Sequence, residues 1–274
     1  ETTVVMDNAI ILEKRIKMSQ VIDQGFVEYN IDANGVGTIE FGHPMSNSLP
    51  GKMLRKLADT VTQLGNDNNV KVIVLRSAGE RAFCAGASFD ELISIEDLET
   101  GKVFFSGFAQ VINACRKAPK FIIGRVQGKA VGGGVGLASA VDYCMATKFS
   151  DVKLSELAVG IGPFVVGPAV ERKMGLSSMS ELAINATEWR SADWAKRKGL
   201  YTDVYDSIEE MDKEINKLAL RLAGANPEAM AMLKAVFWQG TEHWDDLLAE
   251  RAGMSGKLVL SDFTVNAINA FKKK

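Results

Sequence analysis

Histidine and cysteine are scarce in this chain of 274 residues, which has two of the first and three of the second. Cys84, Cys115 and Cys144 lie far apart and are odd in number. No disulfide framework or metal-binding spacing is therefore expected, and this cysteine usage favours a reducing compartment. With only His43 and His243 available, we expect no histidine-rich metal site. Both histidines are predicted to be surface or helix-capping residues.

Long apolar runs and an excess of one charge sign are also missing. No apolar stretch approaches the roughly 20 residues that a membrane-spanning helix needs. A net charge of −2 and a pI near 5.9 exclude a general nucleic-acid surface. The first seventeen residues mix acidic, basic and short apolar pieces, unlike a signal or transit peptide. We expect a cytoplasmic protein with neither a membrane nor a nucleic-acid partner.

The apolar residues that are present are patterned as in an α/β domain. With 47% hydrophobic residues, the chain is long enough to bury one large core. Alternating residues over 26–31 and 36–41, joined by Asp32–Gly35, predict a hairpin. Further strands are predicted at 70–75, 121–126, 142–146 and 152–154. Apolar periodicity predicts helices over 50–65, 101–118, 180–185, 191–196, 207–224, 226–238 and 244–253. Repeated strand–strand–helix units indicate the α/β class.

The most informative segment is the glycine-rich loop Gly128–Gly136, between a predicted strand and Leu137–Ala140. Glycines at a helix start expose backbone N–H groups and let a ligand approach closely. The dinucleotide fingerprint fails because Leu137 takes the last glycine position counted from Gly132, and no Walker sequence follows. Two interpretations stay open, an oxyanion-binding loop and a purely structural close-packing loop.

A second loop of small residues, Ala82–Ser88, follows the predicted strand at 70–75. It too would let a ligand reach the backbone. Two such loops, each after an apolar strand, could place two N–H donors around one oxygen. A developing enolate or tetrahedral oxyanion requires a hole of this kind.

Three segments resemble the crotonase family, the enoyl-CoA hydratase/isomerase superfamily: Ala82–Leu92, Val126–Gly134 and Ser155–Gly160. The resemblance runs from about Gly25 to the end of the chain. It implies a spiral of ββα units with a helical C-terminal region that packs subunits into homotrimers, or into hexamers as dimers of trimers. We accordingly divide the chain into an N-terminal leader or extension (1–20), a crotonase-like spiral core (21–205) and a helical C-terminal region of the same domain (206–274).

The resemblance also implies a catalytic set. The N–H groups of Ala87 and Gly133 would bind the thioester oxygen of an acyl-CoA, and Glu156 would be the acid–base. Hydratases of the family carry another glutamate, but its position is Gly136 here. A single carboxylate favours the shift of a 3-enoyl-CoA double bond to 2-enoyl-CoA in a dry pocket, with an apolar wall predicted from Leu157 to Val166. A hydratase using Glu156 alone and an inactive CoA-binding scaffold stay open.

Coenzyme A, as part of the substrate, is the only cofactor that the resemblance implies. The backbone from Phe83 to Ala85 would take its adenine, and basic residues of the tail, Lys272 among them, its phosphates. Ser88 stands where the family usually has aspartate. Asp90 and Glu91 either replace the missing acid or are charges that favour the start of a helix.

Overall fold

The computed structural model describes the backbone of residues 2–272 and the side chains of residues 10–271. Its strands are β1 (Phe26–Ile31), β2 (Val36–Gly42), β3 (Val72–Ser77), β4 (Ile122–Val126), β5 (Ala130–Val131), β6 (Tyr143–Thr147), β7 (Val152–Lys153) and β8 (Asp203–Tyr205). Its helices are α1 (Thr2–Ile22), α2 (Gly51–Asn66), α3 (Phe89–Ser94), α4 (Leu98–Lys117), α5 (Gly133–Ala140), α6 (Gly167–Ile184), α7 (Ala192–Arg197), α8 (Ile208–Ala223), α9 (Pro227–Phe237), α10 (Trp244–Leu258) and α11 (Asp262–Lys272). A 3₁₀ helix spans Glu156–Val159.

Six strands form the main sheet in the order β1-β2-β3-β4-β6-β8, and β5 pairs with β7 in a second, two-stranded sheet. The predicted hairpin is confirmed: Asp32 Oδ1 accepts from the N–H groups of Asn34 and Val36, both at 2.9 Å, and closes the β1–β2 turn. All other strand pairs are parallel. Parallel pairing needs crossovers, which the intervening helices supply.

The main core lies between the sheet and helices α2, α4 and α10. Helix α2 contributes Leu54, Leu57 and Val61, which are fully buried. Helices α4 and α10 cross closely at two glycines: a Cβ on Gly101 would lie 3.1 Å from the Cα of Gly256. Helix α8 covers the opposite face of the sheet with its own small apolar cluster. The helices thus hold the strand ends, and the loops that follow them, in fixed places.

A buried ion pair anchors α9 to this frame. Lys234 Nζ donates to Asp142 Oδ2 at 2.7 Å and to the carbonyl oxygens of Cys115 at 2.9 Å and Lys120 at 3.0 Å. The indole N–H of Trp238 donates to the other oxygen of Asp142 at 2.8 Å. The side chains of Lys234 and Asp142 are only 3% and 8% exposed, so this pair is structural.

His43 is buried, so its prediction as a surface residue is wrong, but its ring contacts the end of α1 as a helix-capping residue would. Its Nδ1 accepts from the N–H of Met45 at 3.1 Å, and its Nε2 lies 3.1 Å from the carbonyl oxygen of Val21 at the end of α1. Both contacts fit the neutral ring with the proton on Nε2. Burial lowers the pKa of His43 and favours that neutral form. His243 is exposed and precedes α10 without capping it through its side chain.

Several elements differ from the sequence prediction. Helix α6 begins at Gly167, directly after the predicted apolar wall, in a stretch for which no element was predicted, and it breaks at Gly175, where φ is +77°. The predicted helix at 180–185 overlaps only its last turn. Helices α1 and α11 and the three-residue strand β8 were not predicted individually. Helix α1 ends two residues beyond the predicted boundary at residue 20. Within residues 2–272, every helix is too short or too polar to cross a membrane.

Candidate active site

The two small-residue loops lie side by side. Val131 N–H donates to the carbonyl of Cys84 at 3.0 Å. Between them sits Gly86, whose φ is +90°; a Cβ there would lie 2.8 Å from Val131 O and 3.2 Å from the nitrogen of Gly133. No other residue type would allow this approach, because a Cβ at these distances forces the backbone apart. The pairing of the loops predicted from their composition is therefore present.

Two N–H groups are left over where the loops meet. Within residues 2–272, neither Ala87 nor Gly133 donates its N–H to an acceptor of the chain, although Ser88 and Gly132 beside them do. Gly133 is the first residue of α5, where N–H groups have no helical partner. A Cβ on Gly133 would lie 2.1 Å from the ring of Phe108, so only glycine fits. Both residues line the same cavity.

Glu156 lies beside this pair of donors. It begins the 3₁₀ helix that follows β7, and its Oε1 lies 2.9 Å from where a Cβ of Gly132 would be. Its Oε2 is buried and, among the described residues, has no hydrogen-bond partner. Burial raises the pKa of Glu156 from 4.5 to about 7. A carboxyl group with this pKa can both accept and donate a proton near neutral pH.

The cavity around Glu156 has a volume of about 670 Å³ and is mostly apolar. Phe105 and Phe108 of α4 form one wall, and residues 161–166 form another. One member of the predicted wall is wrong: Leu157 is 53% exposed, because the 3₁₀ helix turns its side chain to solvent. Polar groups also reach the cavity, among them Ser48, Asp90 and Lys153.

At position 136, where hydratases of the family carry their other glutamate, the structure leaves no room for a side chain. Gly136 lies buried within α5, and a Cβ there would lie 2.4 Å from Cγ1 of Val166. Val166 itself lines the cavity. The space into which a side chain at 136 would project is therefore occupied by valine.

Asp90 and Glu91, the two acids that follow the first loop, contact different parts of the structure. Asp90 lines the cavity. Glu91 points instead to the start of α2, where its Oε2 accepts from the N–H of Gly51 at 2.6 Å. Ser88, where the family usually has aspartate, caps α3 by accepting from the N–H of Glu91 at 3.3 Å.

Three residues were predicted to hold coenzyme A, and the structure places one of them in the lining of the cavity and another with its side chain in the core. Ala85 lines the cavity. The side chain of Phe83 is buried against Phe41, with ring centroids 5.7 Å apart, so only its backbone is available to a ligand. Lys272 ends α11, but its side chain lies outside the described residues.

An aromatic pair that sequence reasoning missed also lines the cavity. Phe89 of α3 meets Phe271 of α11 edge to face, with centroids 6.3 Å apart. The C-terminal helix thus covers the cavity of its own chain. No local pattern indicates this contact, because the two residues come together only through the fold.

Stability should depend on pH through Glu156. In the unfolded chain this carboxyl ionises near pH 4.5, but in the folded protein it keeps its proton until about pH 7. The free energy of unfolding should therefore fall as pH rises from about 4.5 to 7 and then level off, by at most about 3 kcal/mol from this group. Urea unfolding of Glu156→Gln and wild-type protein at pH 4.5 and 8 checks this. The stability of the variant relative to wild type should rise between pH 4.5 and pH 8, and the same difference at both pH values would contradict the prediction.

This arrangement, two unpaired amides beside one buried carboxyl group in an apolar cavity, suits proton transfer next to a carbonyl whose oxygen becomes negative. Among the described residues, no cluster of three potential metal ligands is found. A family model described as enoyl-CoA hydratase/isomerase matches residues 32–271. The chain belongs to this family, the crotonase superfamily.

Individual relatives and solved structures agree with this assignment. Mitochondrial methylglutaconyl-CoA hydratase of Mus musculus is 32% identical over 200 residues, which cover 72% of this chain and 63% of that protein. Peroxisomal Delta(3,5)-Delta(2,4)-dienoyl-CoA isomerase of Arabidopsis thaliana is 28% identical, with 72% and 74% coverage. The crystal structure of enoyl-CoA hydratase from Bacillus halodurans superposes with a TM-score of 0.82 at 17% identity, covering 89% of this chain and 99% of that one. The crotonase-like fold is thus confirmed, while trimer formation stays a prediction.

Proposed function

We propose that this protein shifts the double bond of a 3-enoyl-CoA to give a 2-enoyl-CoA, with Glu156 as the only acid–base. One observation carries the proposal: Oε2 of Glu156, which is buried and has no hydrogen-bond partner among the described residues, lies in the same cavity as the free amide of Gly133, while Val166 fills the space beside Gly136. A bond shift needs one group that removes and returns a proton. Hydration shared by two glutamates needs a second carboxylate at the place that Val166 closes.

The proposed steps use only groups of this chain and the substrate. The N–H groups of Ala87 and Gly133 bind the thioester oxygen. Ionised Glu156 removes a proton from C2, and the C–H electron pair moves into a dienolate whose negative charge rests on that oxygen. Protonated Glu156 then returns the proton to C4, and the double bond is left between C2 and C3. Each amide is worth about 3–4 kcal/mol to the charged intermediate.

Coenzyme A enters this proposal as part of the substrate, with no further cofactor. The backbone at Phe83 and Ala85 would hold the adenine, and Lys272 a phosphate. Assembly into homotrimers or dimers of trimers, and a cytoplasmic location, belong to the same proposal. The apolar walls support a hydrocarbon acyl chain, since they exclude water that would compete for the proton.

A hydratase that uses Glu156 alone is the second candidate. Two observations favour it: a hydratase is among the relatives, and Asp90 reaches the cavity and could orient a water molecule. In that case, water would add to C3 of a 2-enoyl-CoA with one proton passed through Glu156.

Separate incubations with a 3-enoyl-CoA and a 2-enoyl-CoA distinguish the candidates. An isomerase converts the first into the conjugated thioester, which is followed by its ultraviolet absorbance and by chromatography of the product. Loss of conjugation in the second substrate, with no bond shift in the first, would favour the hydratase. Tight acyl-CoA binding with no turnover of either substrate, over short, long and branched chains, would indicate a binding scaffold.

The pH profile of turnover should follow the same carboxyl group. Because the reaction begins with ionised Glu156, kcat/KM should rise with pH, with an apparent pKa of about 7, and reach a plateau above it. Initial rates between pH 5 and 9 with a 3-enoyl-CoA measure this. An acid limb near pH 4.5 would mean that burial does not raise the pKa of the catalytic carboxyl group.

A further inference from the structure

We propose that Glu91 is a positioning residue, which holds the loop of Ala87 so that its N–H faces the thioester oxygen. The inference rests on the proposed function, because it concerns one of the two oxyanion donors. Glu91 does not line the cavity. It acts through the backbone of a second segment, residues 49–51, that lies against the loop.

The first step is a bond that the start of α2 cannot make for itself. Pro50 occupies the N-cap position and has no side chain able to accept from the first turn. Helix starts leave N–H groups without partners. Here the carboxyl group of Glu91 crosses from α3, and its Oε2 accepts from the N–H of Gly51 at 2.6 Å.

The second step connects this bond to Ala87. Leu49, two residues before Gly51, pairs with Ala87 in an isolated parallel bridge. Its N–H donates to the carbonyl of Gly86 at 2.8 Å, and its carbonyl accepts from the N–H of Ser88 at 3.4 Å. The peptide groups on both sides of Ala87 are therefore held by Leu49, and the N–H of Ala87 is the one left free.

The third step connects the loop of Ala87 to the helix that carries Glu91. Ser88 caps α3 by accepting from the backbone N–H of Glu91 at 3.3 Å, so the loop and the helix that carries the carboxylate are one unit. Leu49 is completely buried, and Gly51 is buried as well. Without the side chain of Glu91, the N–H of Gly51 would lose its acceptor in a place that water does not reach easily. Segment 49–51 would then move, and Ala87 with it.

The decisive comparison is between Glu91→Gln and Glu91→Met. The two side chains have nearly the same length and both remove the charge, but only glutamine keeps an oxygen that can accept from Gly51. We expect Glu91→Met to lower kcat by on the order of 10²-fold with little change in KM, because a small misplacement of a catalytic group has an effect of this size. Glu91→Gln should restore most of the rate. Glu91→Ala carries the same test if the methionine is not accommodated.

A spectroscopic measurement reports the oxyanion donors without turnover. When a cinnamoyl-CoA binds, hydrogen bonds to its thioester oxygen polarise the conjugated chain and shift its absorbance to longer wavelength. Wild-type protein and Glu91→Gln should show this shift, and Glu91→Met should bind the probe but lose most of the shift. Asn226→Ala is the matched control, since it removes the cap of α9 away from the cavity. It should lower thermal stability and keep the shift.

The outcomes separate the two proposals. If wild-type protein binds the probe without a shift, the oxyanion site and the proposed function are wrong, and this inference with them. If wild-type protein shows the shift and Glu91→Met retains both the shift and the rate, Glu91 is not a positioning residue, while the proposed function stands. If Glu91→Gln is as defective as Glu91→Met, the acceptor oxygen is not the feature that matters, and the inference is also overturned.

Discussion

Replacing Glu156 by glutamine is expected to lower kcat for the 3-enoyl-CoA shift by on the order of 10⁴-fold, the upper range for loss of a general acid–base. Glutamine keeps the shape of the side chain but cannot accept the C2 proton. The loss should be this large because Gly136 supplies no second carboxylate. Steady-state rates with saturating substrate at pH 8 measure it, while a binding assay with a substrate analogue should show little change in affinity.

Two further variants test whether the loss of activity is specific to Glu156. Glu171→Gln changes an exposed glutamate of α6 and should leave kcat within about twofold, since surface changes away from the site have small effects. Asp90→Asn tests the other acid of the cavity, and a loss as large as that of Glu156→Gln would mean that Glu156 is not the only acid–base. If Glu156→Gln keeps a tenth or more of the wild-type rate, Glu156 is not the base.

Replacing Lys234 by methionine should lower the free energy of unfolding by about 3–5 kcal/mol, because a buried carboxylate is left without its cation. Asp142 keeps the N–H groups of Ile122 and Trp238, both at 2.8 Å, but the carbonyls of Cys115 and Lys120 lose their donor. Methionine fills the space of the lysine stem, so the loss reports charge and hydrogen bonds more than packing. Urea unfolding at pH 7 measures the change.

An exposed ion pair provides the control for this experiment. Lys148 and Asp206 lie 3.5 Å apart with side chains 52% and 82% exposed. Lys148→Met should therefore change stability by less than about 1 kcal/mol. Adding Asp142→Asn to Lys234→Met should recover part of the loss, since it removes the unpaired charge. Equal effects of Lys234→Met and Lys148→Met would show that the buried network contributes little.

The parts of the site predicted from the sequence are those encoded by neighbouring residues. Glycines such as Gly86 and Gly133 indicate in any fold that another group comes close to the backbone. The hairpin at 26–41 is predicted from the sequence of its turn. Glu156 was different: its residue type and position alone favour an exposed glutamate, and only the family resemblance selected it. Its burial, which raises its pKa, follows from contacts that no local pattern contains.

The missed features all join distant parts of the chain or depend on a single backbone angle. Phe89 and Phe271 meet because α11 returns over the cavity. The bond from Glu91 to Gly51 spans 40 positions and looks in the sequence like an ordinary first-turn charge. The break at Gly175 divides α6 where periodicity alone gives no warning, and the half before the break was not predicted as a helix.

The contact between Gly136 and Val166 bears on how members with one and two glutamates could interconvert during evolution. A glutamate introduced at 136 first would collide with the valine and overpack the site, at a cost of about 1–3 kcal/mol. Shortening residue 166 first opens this space, at the cost of the buried contacts of Val166. The two replacements are therefore not independent, because a carboxylate at 136 needs a smaller residue at 166.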